Sequence, residues 1–142
     1  MGMTESAIPK LIKGQNFMDE RGAVYHYGEN TLDSIQRLYF ISPSPSAGFR
    51  GWHGHKFESK TFRCIRGSFE VSSVKVLDWE APAGGERFNF HLGGDSGELL
   101  IVPEGYANGI LSLEVGSVLM VMSNKTLGES LGDDIRFHPS AF

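Results

Sequence analysis

Residues 60–78 read Lys60-Thr61-Phe62-Arg63-Cys64-Ile65-Arg66-Gly67-Ser68-Phe69-Glu70-Val71-Ser72-Ser73-Val74-Lys75-Val76-Leu77-Asp78, and this stretch decides the fold. Two β-rich runs, Lys60–Arg66 and Ser68–Asp78, meet at a turn signal, Arg66-Gly67. In the second run Phe69 and Val71 share one phase and Val74 and Val76 the other, so the alternation slips at Ser72-Ser73 and predicts a bulge or sharp bend there. Upstream, Ile35–Ser42 alternates well: Ile35, Arg37, Tyr39 and Ile41 point one way, Gln36, Leu38 and Phe40 the other. Further strands are expected at Ile8–Lys13, Ala23–Tyr27, Arg50–Lys56, Arg87–Leu92, Glu98–Val102, Ala107–Leu113 and Ser117–Ser123. Asp19-Glu20-Arg21-Gly22 is turn-like, and Pro43–Gly48 and Ala81–Gly85 are loops by composition. About ten short strands with turn signals every 8–12 residues are the signature of a β-sandwich or barrel. No window keeps a helical stripe, and the tail Thr126–Phe142 has room for one short helical turn. The reading is one all-β domain over residues 1–142, with residues 1–7 expected to be disordered or tag-derived.

Composition agrees. The chain has 142 residues, 40% hydrophobic and 21% charged, and 18 glycines, against a globular average of about 7% glycine. Interior glycine disfavours helix, so this content fits a protein of many tight turns. The net charge of −4 disfavours a nucleic-acid partner, which calls for a basic excess, but leaves room for a small anionic ligand held by two or three placed cations. The single cysteine, Cys64, excludes an intramolecular disulfide and a cysteine-rich zinc site and is compatible with a reducing cytoplasm. No apolar run approaches the roughly 20 residues of a membrane span, and the N-terminus lacks a secretory h-region. Met1–Ser6 formally matches a myristoylation pattern; it reads instead as a cloning remnant before Met3.

The chemistry concentrates at Arg50-Gly51-Trp52-His53-Gly54-His55. Residues two apart on a strand share a face, so His53 and His55 can share one pocket. That placement suits a metal site, a general base with a supporting partner, or simply a polar strand face. A second segment, Gly97–Asn108, has the form G-x5-P-x-G-x2-N. Together with the H-x-H segment and Gly67 it resembles the two signature motifs of the cupin superfamily, whose fold is a double-stranded β-helix, or jelly roll. Metal-binding cupins add a glutamate and a third histidine. Here Glu58 falls one residue short of the expected offset, a spacing that turns it to the opposite face of an unbulged strand. The third histidine is replaced by Asn108, a poor ligand for transition metals. No metal or other cofactor is expected.

A finer resemblance covers Asp19 to about Arg136. Asp19–Gly22, Arg50–His53, Lys60–Gly67 and Ile101–Gly109 are similar, in order and spacing, to the nucleotide-sugar 3,5-epimerases and sugar 3,4-ketoisomerases. Both groups act on dTDP-linked 4-keto-6-deoxy sugars without a metal, and both are dimers. The resemblance implies that His53 is the base that removes a proton α to a ketone, a task that suits an imidazole near pH 7. His55 or Tyr39 is expected to stabilise the enediolate or return a proton. Arg21, Arg50 and Lys60 are expected near the diphosphate, Trp52 against base or sugar, and Asn108 in the substrate site. Arg37-Leu38-Tyr39-Phe40 resembles the R-V-Y-Y of the ketoisomerases with phenylalanine for the second tyrosine. The epimerases' late tyrosine falls at Met120. Gly132-Asp133-Asp134-Ile135-Arg136 resembles the ketoisomerase tail, and either aspartate is a candidate to orient His53. Asp78–Pro82 is closer to the epimerases. The sequence thus predicts a cytoplasmic, homodimeric, metal-independent isomerase or epimerase of a nucleotide-linked keto sugar, ketoisomerase-like first. A 3,5-epimerase, a metal-binding cupin and a non-catalytic sugar-binding cupin are the alternatives. Structural or surface roles are expected for His26, His91 and His138.

Overall fold

The computed structural model describes residues 7–28 and 32–142. The expectations for residues 1–6, including the lipidation-like pattern, lie outside the described residues. Twelve strands and one short helix follow in order: β1 Lys10–Lys13, β2 Gln15–Asp19, β3 Gly22–His26, β4 Arg37–Ile41, β5 Phe49–His55, β6 Lys60–Arg66, β7 Ser68–Asp78, β8 Ala83–Gly93, β9 Glu98–Val102, β10 Tyr106–Ser112, β11 Val118–Ser123, α1 Leu127–Leu131 and β12 Ile135–Arg136. They form two five-stranded antiparallel sheets, β1-β9-β6-β11-β4 and β12-β5-β10-β7-β8, and a separate β2–β3 hairpin. This is the expected jelly roll.

Period-two alternation builds the main core. The first sheet sends Phe62, Cys64, Leu100, Val102, Leu119 and Val121 inward, and the second sends Phe69, Val71, Leu92, Tyr106 and Ile110 to meet them. Burying such side chains stabilises by about 1.5–3 kcal/mol each. The β4 alternation is as predicted: Arg37, Tyr39 and Ile41 are half-buried, and Leu38 and Phe40 are exposed.

The predicted break at Ser72-Ser73 is absent. β7 pairs with β10 without interruption from Phe69↔Ser112 to Lys75↔Tyr106, and its register shifts come later, against β8, around Val76. The two apolar phases arise because β7 is buried on both faces. Phe69 and Val71 enter the core between the sheets, whereas Val74 and Val76 join Trp52 and Ala107 in a second cluster on the outer face. The C-terminal segment covers that cluster with Phe137, Ala141 and Phe142.

That covering segment positions the site. β12 pairs with β5, setting Ile135 opposite Gly54 and Arg136 opposite His53. Gly54 makes the close approach possible: a Cβ there would lie 2.7 Å from the Trp79 ring and 2.9 Å from the Phe137 ring. A capping box, in which the Thr126 hydroxyl accepts from the Glu129 N–H and the Glu129 carboxylate accepts from the Thr126 N–H, starts α1. Among the described residues no helix is long and apolar enough to cross a membrane.

Candidate active site

A cavity of about 510 Å³ opens between the sheets, within the size range of small-molecule sites. β4 supplies Arg37 and Tyr39, β5 supplies His53 and His55, β6 supplies Lys60, β10 supplies Asn108, and the tail supplies Asp134 and Arg136. Each strand residue occupies an inward-facing position, so alternation alone aims these side chains at one volume. An adjoining chamber of about 430 Å³, under the 42–48 loop, shares Ile41, Arg50 and Ile110 with the first. Arg50 therefore stands at the junction of a two-chambered trough.

The two histidines are fixed separately. His53 Nδ1 lies 3.4 Å from Asp134 Oδ1, and Asp134 also accepts from Arg136 Nε at 3.3 Å. Burial lowers the His53 pKa, and Asp134 only partly offsets this, so the imidazole is neutral at pH 7 with Nε2 free to accept a proton. The Asp134 carboxyl is pushed up by burial, but the His53 and Arg136 contacts outweigh that and leave it lowered. His55 is buried, and its Nδ1–H donates to the Asp133 carbonyl at 2.7 Å. Its Nε2 has no hydrogen-bond partner. Burial, then the Lys60 ammonium, lowers the His55 pKa. The paired aspartates of the tail thus divide the work. Asp134 orients His53, whereas the Asp133 carboxylate accepts the backbone N–H groups of Lys56, Phe57 and Glu58 at 2.8–2.9 Å.

Those three bonds overturn the expectation for Glu58. The chain leaves β5 after His55, so strand parity no longer applies. The turn capped by Asp133 swings the Glu58 carboxylate back to 3.7 Å from His55 Nδ1. It lies 3.5 Å from Lys60 Nζ and 3.6 Å from Arg37 Nη1. Lys60 in turn donates to the Tyr39 hydroxyl at 3.0 Å. Asn108, opposite His53 in the β5–β10 register, accepts from Ser73 Oγ through Oδ1 at 2.8 Å. This fixes the amide and leaves its N–H bonds for the cavity.

This donor set does not fit a transition metal. The carboxylate of a cupin-type site is here surrounded by a lysine and an arginine, and the third ligand position is an amide whose oxygen is already engaged. Among the described residues no cluster of three or more His, Cys, Asp or Glu side chains is arranged to hold a metal.

His53, His55, Tyr39, Arg50, Lys60 and Asn108 all line the trough. Two expected residues do not. Trp52 has the opposite parity to His53 and is buried on the outer face, where its Nε1–H donates to the Pro139 carbonyl and Arg87 stacks on its ring. Arg21 sits at the tip of the β2–β3 hairpin, 85% exposed and forked onto Asp19, outside this chain's cavity. Met120 pairs with Phe40 and Arg63 on the outer sheet face, and no residue of β11 is among those lining the cavity. The site residues given no role from sequence are Arg37, Arg136 and Ser73. Arg37 was legible from its phase with Tyr39.

A family model described as FdtA, WxcM-like, C-terminal, matches residues 7–136. The chain belongs to this family. Among curated relatives, a dTDP-4-dehydrorhamnose 3,5-epimerase from Salmonella typhimurium is 29% identical over 126 residues, 80% of this chain and 68% of the relative. The fold is similar to that of the 3,4-ketoisomerase QdtA of Thermoanaerobacterium thermosaccharolyticum, solved in complex with TDP. The TM-score is 0.74 at 23% identity, over 97% of this chain and 94% of that one. It is likewise similar to a 3,5-epimerase from Bacillus anthracis, solved with TDP and PPi bound, at a TM-score of 0.75 and 21% identity, over 89% and 76% of the two chains.

Proposed function

We propose that this FdtA-family protein is a metal-independent isomerase of a dTDP-linked 4-keto-6-deoxy sugar, acting as a 3,4-ketoisomerase. The observation that carries the reading is the pair of imidazoles on one strand face, each oriented by its own partner in one tail. Family membership and the dTDP-sugar enzymes among its relatives supply the substrate class.

His53 Nε2 removes the C3 proton, and Asp134 stabilises the resulting imidazolium. The enediolate oxygen meets donors already in place, the Lys60 ammonium, the Tyr39 hydroxyl and the Asn108 amide. A proton is delivered to C4, the C3–O–H bond gives up its proton to become the carbonyl, and the C4 oxygen gains one. The step is redox-neutral and requires proton carriers at two neighbouring positions, which His53 and His55 supply. The diphosphate lies at Arg50, with the sugar in the histidine chamber and the nucleoside in the adjoining one.

Incubation with dTDP-4-keto-6-deoxyglucose in D₂O tests this. A 3-keto product with deuterium at C4 and loss of activity in His53→Asn are expected; no exchange and no product would overturn it. The second reading, a 3,5-epimerase, is favoured by the Salmonella relative. It predicts deuterium at C3 and C5 with the carbonyl kept at C4. The absence of any β11 residue from the cavity lining weighs against it, because that strand offers no acid to the cavity.

The proposal includes a homodimer in a reducing cytoplasm, which suits the free, buried thiol of Cys64. β4 is a sheet edge with Leu38 and Phe40 exposed, and the hairpin exposes Phe17, Met18 and Val24. Uncovered edges and apolar groups of this kind call for a partner. Light scattering at twice the chain mass is the expected result.

A further inference from the structure

Behind the cavity wall lies a buried charge that the proposed chemistry leaves unused. Glu58 is fully buried, and neither carboxylate oxygen has a hydrogen-bond partner. A carboxylate in such a place is retained only if neighbouring charges hold it. Its neighbours are Lys60, Arg37 and His55 at 3.5–3.7 Å. The other charged or titratable groups facing the cavity are Tyr39 from β4, Arg50 and His53 from β5, and Asp134 and Arg136 from the tail; Asp133 is turned away, onto the backbone of the 56–58 turn. Cations therefore dominate the space in which His55 has to take up a proton.

We infer that Glu58 is a positioning residue: its buried carboxylate is the counter-charge that lets His55 carry a proton during turnover, and it holds Lys60 against the Tyr39 hydroxyl without touching the substrate. Burial and Lys60 disfavour the charged imidazole, and Glu58 opposes them. The Lys60 Nζ that approaches Glu58 is the one that donates to Tyr39, so one carboxylate serves two members of the site.

The kinetic arm of the test rests on the isomerase reading; the spectroscopic arm does not. In Glu58→Gln the charge is removed at nearly constant shape. The His55 titration, followed by ¹⁵N NMR in the unliganded protein, is expected to move to lower pH. TDP affinity, measured by calorimetry, is expected to hold or tighten, since a negative charge beside Lys60 and Arg37 is gone. With turnover present, kcat is expected to fall by roughly tenfold or more, and the alkaline limb of the pH profile, where His55 loses the proton it carries, to move to lower pH. Glu58→Asp, which keeps the charge on a shorter stem, is expected to move the limb and the His55 midpoint in the same direction by less and to recover part of kcat; it also serves as the test protein if Glu58→Gln does not fold. An unmoved His55 titration, or a kcat loss matched by loss of TDP binding, overturns the inference. A moved titration in a protein without turnover supports the Glu58 coupling and refutes the isomerase reading instead.

Discussion

Ser73→Ala separates an anchored amide from a freely rotating one. Ser73 is fully buried, and its hydroxyl donates to Asn108 Oδ1 at 2.8 Å, with Asn108 only 6% exposed. The bond itself is worth about 0.5–1.5 kcal/mol net, but removing the donor leaves a buried carbonyl oxygen unpaired, which costs about 1–3 kcal/mol. Unfolding entropy near 2.1 cal/mol/K per residue converts this to a Tm loss of about 3–10 °C for a chain of this size. The same change frees the Asn108 amide to turn, so kcat/KM for the keto sugar falls as well. Asn108→Ala strands the serine hydroxyl in turn, whereas the double substitution strands neither group. Calorimetric melting of the four proteins closes the cycle. The double variant is expected to be more stable than the sum of the single losses implies, by about 1 kcal/mol. Additivity within about 0.5 kcal/mol would refute the idea that Ser73 acts through Asn108.

Other expectations follow from the same geometry. Asp134→Asn removes the carboxylate that favours protonated His53, so the acidic limb of kcat/KM moves to lower pH and kcat drops by on the order of tenfold; an unmoved limb would show that His53 is not the titrating base. His53 and His55 both have folded-state pKa values below the ordinary 6.5, so the unfolded chain binds protons more readily. Stability is then full above pH 6.5 and falls as acid brings the folded-state histidines into titration; urea midpoints are expected to drop between pH 7.5 and 5.5 and to stay level from 7.5 to 8.5. Trp52→Phe loses the bond to Pro139 and part of the outer cluster, costing about 1–2 kcal/mol of stability while TDP affinity measured by calorimetry stays unchanged. Gly54→Ala drives a methyl group into Trp79 and Phe137, displacing the tail; activity falls further than Tm, and a variant of full activity would contradict the tail's role.

Elements are legible in the sequence where local physics is sufficient. β4 has one face toward the core and one toward solvent, so its alternation is visible in Arg37-Leu38-Tyr39-Phe40. β7 was misread because the tail buries its outer face, and two apolar faces cannot be told from a slipped phase without knowing what lies over them. β2 is not legible because all five of its residues are exposed: a strand with neither face covered has no burial pattern to detect. The placement of His53 and His55 followed from parity, and the same parity puts Trp52 on the other face. Glu58 was misplaced because parity ends where the strand does. The partition of Asp133 and Asp134 between the histidines depends on a pairing across about 80 residues (β12 on β5), which no local pattern encodes.

The tail also links activity to partial unfolding. It lies on the outside of the sheet, held by aromatic packing on Trp52, Trp79 and Val74, yet it supplies the carboxylate and the carbonyl that set both imidazoles on the inside. A molecule whose last strand has peeled away keeps the jelly roll, the cavity and both histidines but loses their orientation. The fraction of working enzyme is therefore the fraction with the tail docked, an opening whose free energy is smaller than that of global unfolding. Inactivation on warming then precedes melting of the sheets, and amide exchange at Ile135 and Phe137 reports the loss before any core strand does.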